Sequence, residues 1–193
     1  MRKLSASILS AIFLLGTSTT AFAHPGHNVS GFAAGLMHPF SGLDHLLAMV
    51  AVGLWAAQGG GKKIWVLPAT FMSMLAVGAG AAMIWQSLPL VEAGIAVSVL
   101  ALGLLVSLSL QLPAILSVAI TAIFGLLHGY AHGLELPGSA APAEYALGFL
   151  AATAALHLGG IVMGVVTRQN HAMLARMLGV AIACCGTYLL ASA

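Results

Sequence analysis

Charge is what this sequence most lacks. Of 193 residues, six are Lys or Arg and four are Asp or Glu, 5% of the chain. A soluble domain carries roughly 25% charged residues, so a water-soluble globular protein is excluded. The net charge of +2 comes from scattered side chains and builds no basic face, which excludes nucleic acid as a partner. Cysteine is also scarce. The two present, Cys184 and Cys185, are adjacent in an apolar run, so a disulfide scaffold is excluded. Long polar stretches are missing, which leaves no room for a separate soluble domain. What the chain has in excess is hydrophobic residues, 61% of the total, giving a mean hydropathy of +1.07. Its partner is therefore a lipid bilayer. It also has eight histidines, and in lipid an ionisable side chain needs a reason.

The N-terminus reads as a targeting segment. Arg2 and Lys3 precede a short apolar stretch from Leu4 to Gly16, and Ala21-Phe22-Ala23 offers a small-x-small cleavage site. This is the pattern of a secretory signal peptide over residues 1–23. The apolar run is short of the roughly 20 residues a spanning helix needs, which favours cleavage over an uncleaved first helix. Cleavage would leave residues 24–193 as a single domain whose N-terminus, His24, lies outside the cytoplasm.

The remainder divides into six apolar segments, at 31–57, 64–86, 90–110, 113–132, 143–167 and 172–191. Glycine, proline and polar punctuation separates them. The expected fold is an all-α polytopic membrane protein with six transmembrane helices. Counting crossings from an external N-terminus places Lys62, Lys63, Arg168 and Arg176 inside, and Glu92, Glu135 and Glu144 outside. This obeys the positive-inside rule and predicts that both mature termini lie outside the cytoplasm. Trp55, Trp65 and Trp85 fall near span ends, where an aromatic belt is expected. Gly31/Gly35 and Gly160/Gly164 have the spacing that lets helices pack closely.

Two histidine motifs stand out. The first is His38-Pro39-Phe40-Ser41-Gly42-Leu43-Asp44-His45, early in the first segment. On a straight helix His38 and His45 would stand about 10 Å apart, too far for one metal ion with ligand bonds near 2 Å. Pro39 and Gly42 argue against a straight helix, and a broken segment can bring His38 toward Asp44 and His45. The second motif is His128-Gly129-Tyr130-Ala131-His132-Gly133-Leu134-Glu135, at the end of the fourth segment. His128 and His132 are spaced i, i+4 and project from one helical face, with Glu135 three residues further on. The first segment runs inward and the fourth outward, so both motifs reach the same outer depth. Together they offer four imidazoles and two carboxylates, a ligand set suited to divalent transition metals. One motif falls in each three-segment half, the arrangement of 3+3 inverted halves common in transporters.

The other histidines carry weaker expectations. His24 and His27, at the mature N-terminus, can capture a metal beside a free amine. His157, inside the fifth segment, can line a path, whereas His171 sits in an inner loop. Met49, one turn after His45, reads as packing, as do Cys184 and Cys185.

These residues resemble the HupE/UreJ family of small bacterial membrane permeases. The likeness rests on His38-Pro39, Gly42, Asp44-His45 and Met49, and on His128-Gly129, Ala131-His132-Gly133 and Glu135, after a mature end that begins with His24. Leu127 stands where the family pattern has Phe. The resemblance implies uptake of Ni²⁺ or Co²⁺ from the periplasm as transported substrate, with no permanently bound cofactor. A metalloenzyme maturation system for hydrogenase or urease, or cobalamin synthesis, would lie downstream. The expected ligands are His38, Asp44, His45, His128, His132 and Glu135, with His24, His27 and His157 as further candidates. No nucleotide-binding motif is present, so a gradient or facilitated diffusion would drive the ion and no enzymatic activity is expected. Two other classes use buried histidines: intramembrane metalloenzymes, which need more histidine boxes on the cytoplasmic side, and haem proteins, which need opposed single histidines.

Overall fold

The computed structural model describes residues 31–85, 88–135 and 141–193. The expected signal peptide, His24 and His27 lie outside the described residues. Seven α-helices and one short 3-10 turn follow in order, and no strand occurs among the described residues. They are α1 (Gly31–Met37), the turn (His38–Phe40), α2 (Leu43–Gly59), α3 (Lys63–Ala82), α4 (Val91–Ser107), α5 (Ala114–Leu134), α6 (Pro142–Asn170) and α7 (Ala172–Ser192).

The sequence punctuation ends these helices where it should. Gly60 and Gly61 both take positive φ after α2, a backbone conformation glycine adopts without penalty. Pro113 precedes α5, and Pro142 opens α6, where a missing N–H costs nothing. The helices α3, α5, α6 and α7 are each long and apolar enough to cross a membrane. The pair α1–α2, bent by 78° at its break, makes a fifth such unit. The third apolar segment forms only the 17-residue α4, about 25 Å of helix. The coarse expectation of a multi-pass helical membrane protein therefore holds.

Three helix pairings dominate: the α1–α2 unit lies along α6, α3 along α5, and α4 along α7. Small residues set each one. On α5, Gly125, Gly129 and Gly133 form a stripe at one-turn intervals. A Cβ at these positions would stand 2.6, 2.0 and 2.7 Å from the carbonyl oxygens of Phe71, Leu75 and Ala79 of α3. The two backbones are in contact along the stripe, which only glycine permits. Gly53 and Gly160 do the same between α2 and α6, and Gly103 and Gly179 between α4 and α7.

The core gathers around α2, where Ala48, Met49, Ala51, Val52 and Leu54 are buried against Phe71, Leu75, Val99 and Leu102 of neighbouring helices. Met49 is packing, as expected. Trp55 departs from expectation. It is buried in this core and its indole N–H donates to Leu110 O at 3.1 Å; the partner is a carbonyl freed just beyond the end of α4. Trp65 and Trp85 are exposed, as belt residues would be.

The charges separate by end. Lys63 Nζ donates to Leu112 O at 2.6 Å, and Arg176 Nε to Ser109 Oγ at 3.3 Å. Arg168 lines a cavity with Gln58, Ser109 and Gln111. All four described cations thus share one end of the bundle. Asp44, Glu92, Glu135 and Glu144 share the other, with Asp44 lining cavities together with both Glu135 and Glu92.

Candidate functional site

The first motif folds as a break. His38-Pro39-Phe40 winds into the 3-10 turn, with Ser41 Oγ donating back to His38 O at 2.6 Å. Gly42 is extended, with φ −101° and ψ 121°, and α2 restarts at Leu43. The extended residue is what swings His38 over the start of α2. Asp44 lies in the first turn of α2, where its Oδ1 accepts the backbone N–H of His45 at 2.8 Å. A carboxylate at this helix end also faces the positive end of the helix dipole.

The second motif stays helical. The glycine stripe fixes α5 against α3, and this sets the rotation of α5 so that His128 and His132 point inward. His128 is fully buried and its Nδ1–H donates to Phe124 O at 2.9 Å. That bond fixes the tautomer and leaves Nε2 as a free electron pair with no partner.

The two motifs meet. His38 Nε2 lies 3.0 Å from both His132 Nδ1 and Glu135 Oε2, and His132 Nδ1 lies 3.5 Å from the same carboxylate oxygen. Ligand atoms of His38, His132 and Glu135 all fall within 4.8 Å of one another, the spacing of groups that can share a metal ion. Below them the His45 ring packs against His132 at 3.9 Å and against His128 at 5.1 Å between centroids. His45 Nδ1, His128 Nε2 and His132 Nε2 are buried without a hydrogen-bond partner. Buried polar atoms are normally satisfied, and three orphaned imidazole nitrogens in one cluster fit a site that takes a ligand. A cavity of about 260 Å³ opens over the cluster, lined by His38, Ser41, Gly42, Asp44, His45 and Glu135. Hydrogen bonds from His132, then from His38, hold the Glu135 carboxyl well below the usual carboxylate range, so it presents a negative charge to the cavity.

All six residues named from the two motifs thus come into one region. His157 does not join them. It lies deeper, its ring 5.3 Å from that of Phe71. Sequence reading did not find the aromatic wall: Phe149 packs on His132 at 4.2 Å and Tyr145 on His38 at 5.7 Å. It also used Glu92 only for orientation, whereas Glu92 lines a second cavity of about 310 Å³ with Asp44 and the C-terminal Ala193. No spacing rule connects α4 or α6 to either motif, so these neighbours carry no local signal.

Comparison with known proteins agrees with the motifs. The family described as HupE / UreJ protein matches residues 12–189. The chain belongs to the HupE/UreJ family. Protein HupE of Rhizobium leguminosarum bv. viciae is 41% identical over 184 residues, covering 95% of this chain and 96% of that protein. No solved structure matches. The HupE/UreJ match contains both motifs and all of the described helices except the last three residues of α7, so the family assignment covers the site as well as the scaffold.

Proposed function

We propose that this chain is a secondary-type permease that takes up Ni²⁺ or Co²⁺ from the periplasm across the bacterial inner membrane. The observation that carries this is the convergence of His38, His132 and Glu135, with ligand atoms within 4.8 Å of one another, beside Asp44, His45 and His128. Membership of a family associated with nickel and cobalt transport points the same way. Nitrogen and oxygen donors without thiolate suit these divalent ions.

In this reading the ion reaches the acidic end of the bundle, sheds water against Glu135 and Asp44, and is held by the four imidazoles between the first and fourth spans. His24 and His27 assist capture at the mature N-terminus. The bundle crosses six times, with α4 as the third span, and the cationic end faces the cytoplasm. The pairings support two inverted halves. Exchanging spans one, two and three for four, five and six carries the α1–α2/α6 pair onto the α3/α5 pair, and the α4/α7 pair onto itself. Rocking of one half on the other then opens the site inward, with no resident cofactor and no catalytic step. A metalloenzyme maturation system inside the cell receives the ion. A haem reading is not favoured, because His38 and His132 approach to 3.0 Å and leave no space for a macrocycle between them.

The test is metal accumulation in cells expressing the chain, with Ni²⁺ and Co²⁺ in competition. His132→Ala is expected to abolish high-affinity uptake while the protein remains in the membrane. Uptake equal to that of the unaltered chain would remove the site from this position.

A further inference from the structure

We propose that His157, with Thr153 one turn before it on α6, forms a second and inner station for the transported divalent cation, separate from the outer cluster. The inference rests on the permease reading above. A stripe of four side chains runs along α6. Tyr145, Phe149, Thr153 and His157 recur every four residues and share one helical face. The first two pack on the outer histidines, Tyr145 on His38 and Phe149 on both His38 and His132. The stripe therefore leads from the outer cluster into the bundle.

Its inner half is polar, buried and unpartnered. Thr153 is fully buried and His157 is 1% exposed. Thr153 Oγ1 and both ring nitrogens of His157 have no hydrogen-bond partner. A buried threonine on a helix ordinarily donates back to the carbonyl four residues earlier. Thr121, Thr167 and Thr187 all do so here, to Ser117, Met163 and Ala183, and Thr153 does not. A buried histidine ordinarily has at least one ring nitrogen held by a hydrogen bond, as His128 has through Phe124 O. His157 has no such bond. Two orphaned polar groups one turn apart are what a transient ligand leaves exposed to itself between visits.

The ring of Phe71 links the two places. It is fully buried on α3, tilted against His128 at 5.4 Å and edge-on to His157 at 5.3 Å. His128 and His157 thus share one aromatic neighbour, and His157 is the next imidazole beyond it. One imidazole and one hydroxyl hold a divalent ion more weakly than the outer set of imidazoles and carboxylates. A weaker inner station is what conduction requires, since an ion must be able to leave as well as enter.

The test uses the full chain, purified in detergent for equilibrium Ni²⁺ binding and reconstituted in liposomes with a Ni²⁺-sensitive dye inside for uptake. His157→Asn is expected to keep the tight Ni²⁺ binding of the outer site within twofold of the unaltered chain and to lose the weaker second binding step, while uptake falls at least tenfold. Thr153→Val is expected to lower uptake less, with the tight binding of the outer site unchanged. Uptake by His157→Asn within twofold of the unaltered chain overturns the inner station. So does a fall in the tight binding parallel to the fall in uptake, which is what a packing role produces. His132→Ala separates the two readings. If it loses binding and uptake while His157→Asn loses neither, the outer site stands and the inner one is wrong. If the unaltered chain carries neither Ni²⁺ nor Co²⁺, the permease reading itself fails.

Discussion

At the scale of single residues, the proposed site sets protons and a metal in competition for the same electron pairs. Imidazole binds a metal only in its neutral form. Glu135 does not share this sensitivity, because His132 and His38 hold its carboxyl ionised well below the usual range. The acid limb of uptake therefore belongs to the histidines. Glu135→Gln is expected to weaken binding roughly ten- to hundredfold at pH 7.5, and because the Glu135 carboxyl stays ionised well below the usual range, the same penalty is expected at pH 5.5. Equilibrium Ni²⁺ binding in detergent at each pH checks both. The six candidate residues were legible in the sequence, since their types and their i, i+4 and broken-helix spacings are local properties. The tautomer of His128 was not, because it is set by the rotamer that turns Nδ1 onto Phe124 O in the packed bundle.

At the scale of elements, glycine decides how the ligands are aimed. The α5 stripe places Gly129 between His128 and Tyr130, and a Cβ there would meet Leu75 O at 2.0 Å and Leu75 C at 2.6 Å. Backbone atoms cannot yield, so Gly129→Ala must push α3 and α5 apart. It is expected to cost about 1–3 kcal/mol and to lose metal binding as the His128–His132 face rotates. Gly80 on α3 has nothing within 4 Å of its virtual Cβ, and Gly80→Ala is expected to leave both properties unchanged or slightly improved. Thermal unfolding in detergent, with Ni²⁺ binding measured in parallel, separates the two. The sequence marked Gly31/Gly35 and Gly160/Gly164 as close-packing pairs and showed that Pro39 and Gly42 would break the first span. It did not show that α5 pairs with α3, because small-residue spacing says a helix can pack closely but not against which neighbour.

For the whole molecule, the decisive feature is polarity. The described cations, Lys62, Lys63, Arg168 and Arg176, occupy one end and the four acids the other, and the site lies at the acidic end. A chain with Cys184 and Cys185 replaced by alanine allows single cysteines to report topology. Gly61→Cys is expected to react with a membrane-impermeant maleimide only after the membrane is opened, and Ala141→Cys in intact spheroplasts. The reverse pattern would place the metal site on the cytoplasmic face. What the sequence determined by itself is the class of protein and its chemistry: apolar segments long enough for a bilayer, the distribution of charge between their ends, and two local motifs of nitrogen and oxygen donors. All of these follow from composition and from spacing along one helix. The tertiary structure alone decided which helices touch, that Trp55 is core and not belt, and that Phe149 and Tyr145 wall the histidines. It also decided that His157 stands apart with both nitrogens unpartnered. Those facts depend on contacts between residues far apart in the chain, and in a uniformly apolar sequence no periodicity marks which faces will meet.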